Sequence, residues 1–221
     1  MQWDITYFGQ FYEKIKSEGF SEREDRKGFQ IVFGPFNEAQ KRMPISESQA
    51  EDQVLFRNPS RGLVILIGKG KISFHCIKDY PGWERFLNEF IVPFYKIYRS
   101  LGLGNGTRQC SIVYLNRYTK ERKADLSQYF NVISHIDSKF GQEVNTVVQR
   151  IVSNSHNLLI TKLNAQVIEP DQLVVNLECG AVCVSAECMQ SEDWVHQANH
   201  THAPIFDFYQ AVLTEKQKAE L

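Results

Sequence analysis

The 221-residue sequence predicts an α+β fold: a curved antiparallel sheet of about six to seven strands with long helices packed on it. Three observations carry this reading. Short apolar or alternating runs are joined by tight turns, which makes them antiparallel neighbours. Two longer stretches place apolar residues at helical spacing. The order is hairpin, long helix, strand, three-strand meander and second long helix, and each broad apolar helix can cover one face of a sheet.

The elements follow in order. Phe8, Phe11, Tyr12 and Ile15 recur every three or four residues, so residues 6–18 read as an amphipathic helix stopped near Gly19. Residues 21–28 read as a charged loop, Phe29–Phe33 as a strand, and the low apolar content of 37–53, with Pro44, as a long mobile loop. Leu63–Ile67 is apolar on both faces, as in a strand buried mid-sheet. Ile72, Phe74 and Cys76 alternate on the return strand after the Gly68-Lys69-Gly70 turn. From Pro81 to Leu101 runs a helical stripe containing Trp83, Phe86, Phe90, Phe94 and Tyr98, which Pro93 should kink. Strands are expected over 108–118, 144–152, 157–168 and 172–185. The last helix is expected from about Thr201, a good cap, to about Lys218, with Pro204 in its first turn. Nothing reads as a linker, so residues 1–221 are expected to form a single domain.

Composition sets the class. At 43% hydrophobic and 23% charged the chain is neither disordered nor fibrous. The start, Met1-Gln2-Trp3-Asp4-Ile5, has no signal-peptide pattern, and no run approaches the roughly 18 apolar residues that span a bilayer. The five cysteines include no CxxC pair. The expectation is a cytoplasmic protein with reduced thiols, no membrane contact and no cofactor.

The net charge of −1 conceals a segregation. Residues 57–123 carry 13 basic and 4 acidic side chains, whereas residues 164–221 carry 2 and 9. Arg57, Arg61, Lys69 and Lys71 lie on or beside the first hairpin, and Asn116, Arg117, Tyr118, Lys120, Arg122 and Lys123 follow the third strand. If those strands are neighbours, their ends form one positive rim containing an aromatic. Such a rim binds phosphates by charge and stacks an unpaired base. The competing reading is a solvated rim neutralised by the acidic segment, within the fold or across a dimer. Asn116 and Arg117, a polar pair at the end of an otherwise apolar strand, are either a buried hydrogen-bond network or a binding element.

Three motifs occur in order: Tyr80-Pro81-Gly82-Trp83, then Tyr114-Leu115-Asn116-Arg117-Tyr118, then His202, Ile205, Tyr209 and Thr214-Glu215. Over roughly residues 8–217 the chain resembles a sporadically distributed family of small prokaryotic proteins of unknown function. Members of that family carry a Tyr-Pro-x-Trp segment, a strand ending in Asn-Arg, and a terminal helix with an early His and a late Thr. The chain departs from the family at its start, where an extra N-terminal strand is usual. The resemblance implies no reaction; the family's patchy distribution implies mobile-element or defence-associated cargo.

Other candidate sites are weaker. His196, His200 and His202 with Asp193 and Asp207 lack the general base of a HExxH motif, and a capping or solvated cluster accounts for them better than a metal. Cys179 and Cys183, four residues apart on one strand face, lie about 13 Å apart and read as core thiols; Cys188 is the loop cysteine. Gly102, Gly104 and Gly106 precede a strand rather than a helix, the wrong order for a phosphate cradle. No Walker motif or nucleophile elbow occurs.

The leading expectation is therefore a non-enzymatic binding or regulatory protein that engages a protein partner or a second copy of itself. Asn116, Arg117, Tyr118, Lys120, Arg61 and Lys69 are its candidate contact residues. Nucleic-acid or nucleotide binding by residues 57–71 and 114–123 is the first alternative. A hydrolase using His202 and Asp207 is the second.

Overall fold

The structure is a computed structural model. It describes residues 6–26, 29–33, 45–49, 53–103, 109–133, 145–151, 157–183 and 193–220. Residues 37–44 and 50–52 of the expected loop, the turn at 154–156, Gly104, Gly106 and Cys188 lie outside these. The chain divides into two compact units, Met1–Asn105 and Gly106–Leu221.

In the first unit, helix α1 (Thr6–Ile15) buries Phe8, Phe11 and Ile15. A 3-10 turn follows and stops at Gly19, whose φ of 88° is left-handed and suits glycine. Strands β1 (Glu22–Arg26), β4 (Gln53–Asn58), β5 (Leu63–Gly68) and β6 (Lys71–Cys76) form an antiparallel sheet in the order β1-β4-β5-β6. Strands β2 (Phe29–Phe33) and β3 (Ile45–Gln49) pair separately. β5 lies inside the sheet and is buried at Leu63, Val64, Ile65 and Ile67, as its unbroken apolar run predicts.

The expected long helix is α2 (Trp83–Phe86), a π-helical turn (Leu87–Ile91) and α3 (Val92–Ser100). Pro93 explains the break. Its ring crowds the carbonyl four residues earlier, and the wider turn, in which the Val92 N–H reaches back five residues to the Leu87 oxygen, relieves that crowding. The core of this unit is aromatic: Phe20 meets Phe94 at 5.1 Å and Phe74 meets Phe90 at 5.6 Å, both edge-on, and Phe11 packs on Phe56 at 5.8 Å. Asn58, 1% exposed, ties the 3-10 turn after α1 to β4 by donating to the Glu18 carbonyl at 2.8 Å.

In the second unit, β7 (Ser111–Glu121), β8 (Asn145–Ile151), β9 (Asn157–Glu169) and β10 (Gln172–Cys183) form an antiparallel sheet in the order β7-β10-β9-β8. Helices α4 (Trp194–Val212) and α5 (Glu215–Lys218) follow. Leu163, Val175, Leu177 and Ala181 on the inner face form one core with Ile205, Phe208 and Val212 of α4.

The α+β class and the antiparallel pairing hold, but four expectations need correction. Residues 45–49 and 53, placed in the long mobile loop by their low apolar content, form β3 and the start of β4, because pairing with β2 and β5 rather than a local apolar pattern makes them strands. Instead of one sheet of six to seven strands, the described residues form two four-stranded sheets and a two-stranded ribbon. Residues 22–26, read as loop, form an edge strand with every residue exposed, so no alternation marked it; its pairing with β4 is supported across the strands by an Arg57–Glu24 ion pair at 3.0 Å. The last long helix begins at Trp194, capped by Asp193 accepting from the His196 N–H at 3.1 Å, so Pro204 lies inside it. No described helix is long and apolar enough to cross a membrane.

Candidate functional site

Side chains alternate across β7. Ile112, Tyr114, Asn116, Tyr118 and Lys120 turn toward the inner face, and Val113, Leu115, Arg117 and Thr119 turn outward and are exposed. The inner row meets α4. Tyr114 Oη lies 2.9 Å from His202 Nε2, and Tyr118 Oη lies 2.6 Å from Tyr209 Oη. The spacing explains the registry. Two helical turns between His202 and Tyr209 advance about 11 Å, and four strand residues between Tyr114 and Tyr118 advance about 13 Å, so both pairs form along one seam. The second and third sequence motifs thus interlock.

The seam continues to the C-terminus. Lys120, 9% exposed, pairs with the Glu220 carboxylate, and its ammonium sits 4.0 Å from the centre of the Tyr129 ring. Lys216 approaches the same ring at 4.3 Å. Thr214 fastens this end: its N–H donates to the Tyr129 carbonyl at 3.0 Å, its hydroxyl donates to the Gln128 carbonyl at 2.6 Å, and the same hydroxyl caps α5.

Burial and the bond to Tyr209 push the Tyr118 hydroxyl far above the ordinary tyrosine range, and burial holds His202 below the ordinary histidine value. Both groups are neutral at pH 7 and are engaged with one another's neighbours along the seam.

The outer face differs. Leu115 and Val113 are 66% and 59% exposed. In register, Arg117 stands beside Asn176 of β10 and then Asn164 of β9, while Leu115 stands beside Glu178 and then Lys162. Lys162 and Glu178 pair at 3.5 Å. Val113 lies over Gly180, where an added Cβ would come within 2.9 Å of the Val113 side chain and 2.6 Å of the Ile112 carbonyl oxygen. This face therefore presents an arginine among amides, with two exposed aliphatic side chains, Leu115 and Val113, in line on one side of it. Among the described residues β7 pairs with β10 alone, which leaves it at the sheet edge.

The six contact residues expected from the sequence fall on two different sheets. Arg61 and Lys69 belong to the first unit and flank β5 at its opposite ends, roughly 20 Å of strand apart, while Asn116 to Lys120 lie on β7 in a different sheet. The condition for a joint rim, adjacent strands, is not met, because β4 and β6 occupy both sides of β5. Several of the basic groups are also engaged locally: Arg57 with Glu24, Lys120 with Glu220, and Arg122 with the Pro170 carbonyl at 3.2 Å. Of the four β7 residues named, Arg117 alone faces outward.

His202 and Asp207 do not form a pair: five residues on a helix set them roughly 140° apart, and Asp207 is exposed. His196 and His200 do share a helical face, their rings 6.4 Å apart, yet among the described residues no group of three His, Cys, Asp or Glu is placed to hold a metal. The sequence reading missed Tyr209, Tyr129 and Glu220 as members of the seam. The signal available was the two-residue period of Tyr114, Asn116 and Tyr118, which assigns them to one face.

No protein-family model, curated protein or solved structure matches the chain.

Proposed function

We propose that the protein is a non-enzymatic binding module whose second unit engages a protein partner through the outer face and edge of β7, with Arg117 as its charged contact. One observation carries this reading. The Tyr114, Tyr118 and Lys120 side chains on the inner side of β7 are taken up by α4 and Glu220, whereas Arg117, Val113 and Leu115 project outward. The surface suits a partner that offers a carboxylate to the guanidinium and aliphatic side chains to Val113 and Leu115. A cytoplasmic setting accompanies this reading on the strength of the sequence pattern and the cysteine usage, and a mobile-element or defence-associated role on the motif resemblance alone.

Affinity capture from native extract, with and without nuclease treatment, tests the class of partner. A protein retained after nuclease treatment is the expected result. Loss of all binding with nuclease would favour the nucleic-acid reading and overturn this one.

A further inference from the structure

The ladder between β7 and β10 brings two cysteines opposite one another. Ser111 faces Val182, and one step further the Cys183 N–H donates to the Cys110 carbonyl oxygen at 3.0 Å. Residues opposed in this way in an antiparallel pair have Cα atoms about 5.5 Å apart and side chains on the same face. That Cα separation falls within the window a disulfide spans, and the Cβ atoms of such a hydrogen-bonded pair, about 5.5 Å apart, must draw about 1 Å closer for the bond to form. Both thiols belong to the inner face: Cys183 continues the row Leu177, Cys179 and Ala181, and Cys110 that of Ile112 and Tyr114. Both are free thiols, and the nearby Cys183 thiol adds to the upward push on Cys110.

The other described cysteines lack this arrangement. Cys179 faces Tyr114 on β7 and Thr161 on β9, and the Thr161 hydroxyl lies 3.3 Å from its sulfur. Cys76 belongs to the first unit. The two members of the pair also differ in access. Cys110 is partly exposed, while Cys183 is 2% exposed.

We propose that Cys110 and Cys183 are a reversible redox site that closes to a cross-strand disulfide by exchange with a low-molecular-weight disulfide. Cys110, having lost its proton to solvent, attacks one sulfur of the small disulfide RSSR. The S–S bond breaks, one thiolate RS⁻ leaves, and Cys110 carries the mixed disulfide. The Cys183 thiolate then attacks the Cys110 sulfur and expels the second RS⁻. Two protein thiols are oxidised, one RSSR is reduced, and two RSH are released after protonation. The partly exposed sulfur meets the reagent and the buried one resolves it, so the second step needs no external access. Burial raises the Cys110 thiol above its ordinary value of 9.0, with the neighbouring Thr201 hydroxyl working the other way, so exchange is slow near neutrality and accelerates through pH 9. Closure fixes the start of β7 to β10, four residues before Tyr114 contacts His202.

The test is incubation of the native chain with oxidised glutathione, followed by alkylation, digestion and mass spectrometry. The expected product is a peptide pair joined through Cys110 and Cys183, with two hydrogens lost, no glutathione retained, and reversal by a dithiol reductant. Cys183→Ser should instead trap glutathione on Cys110, while Cys179→Ser should leave the link intact. Free Cys110 and Cys183 after oxidation, a link that forms equally fast in denaturant, or a Cys110 joined to another cysteine would each overturn the proposal. Should Cys183→Ser fail to fold, the linkage map of the unmodified chain decides the matter.

Discussion

The side-chain amide of Asn157 donates to the carbonyl oxygen of His200 at 3.0 Å, and that carbonyl is the one Pro204 leaves without its helical donor. A proline inside a helix removes the N–H that would bond four residues back. Here the first residue of β9, fully buried, supplies the missing donor. Asn157→Ala should therefore cost about 1–3 kcal/mol by leaving the carbonyl unpaired. Pro204→Ala restores the helical N–H, so the double variant should lose less than the two single effects together. Thermal or denaturant unfolding of the four chains measures this coupling, and strict additivity would contradict it.

The Tyr118–Tyr209 bond behaves as a paired unit. Removing either hydroxyl strands the other in a half-buried site, at about 1 kcal/mol for Tyr118→Phe or Tyr209→Phe. Removing both leaves two phenyl rings and should cost less than twice that. The alkaline limb carries a second signature. Tyr118 holds its proton where tyrosines of the unfolded chain have lost theirs, so its contribution is complete below about pH 10 and falls away above it. Unfolding midpoints between pH 8 and 11 should decline less steeply in Tyr118→Phe than in the parent.

Acid acts on the other end of the seam. Burial holds His202 below 6.5, so the unfolded chain takes up a proton first as pH falls. The stabilisation is complete above about pH 6.5 and is lost as pH drops below it. His202→Gln keeps a hydrogen-bonding partner for Tyr114 without the titration, and its stability should vary less between pH 7 and 5. His75 in the first unit is also held low, by burial and then by Arg26, so some acid sensitivity persists in that variant. Identical pH profiles for parent and His202→Gln would contradict the account.

Much of the local structure was legible because it is written in neighbouring residues. The β5–β6 hairpin, α1 with its Gly19 stop, the break near Pro93 and the inward period of Tyr114, Asn116 and Tyr118 all follow from short-range pattern. What was not legible depends on partners far along the chain. β1 is Glu-Arg-Glu-Asp-Arg, which has no apolar face and becomes a strand because β4 offers it an edge and opposite charge. Thr201 has the makings of a cap, yet the helix starts earlier, because Asn157, more than forty residues upstream, satisfies the carbonyl that Pro204 exposes. The expected adjacency of the basic strands was not legible for the same reason. Which strands lie side by side is a long-range choice, and it assigned the two halves of the block to different sheets.

The most direct test of the proposed binding surface is quantitative capture of the partner by three forms of the chain: the parent, Leu115→Asp with Arg117→Glu, and Arg61→Ala with Lys69→Ala. All the substituted residues are exposed, so folding should be retained, and circular dichroism confirms it. The account predicts that the β7 pair of substitutions abolishes capture, by at least about tenfold, while the Arg61 and Lys69 pair leaves it unchanged. Capture that survives on the β7 variant, or that falls only on the Arg61 and Lys69 variant, would contradict it.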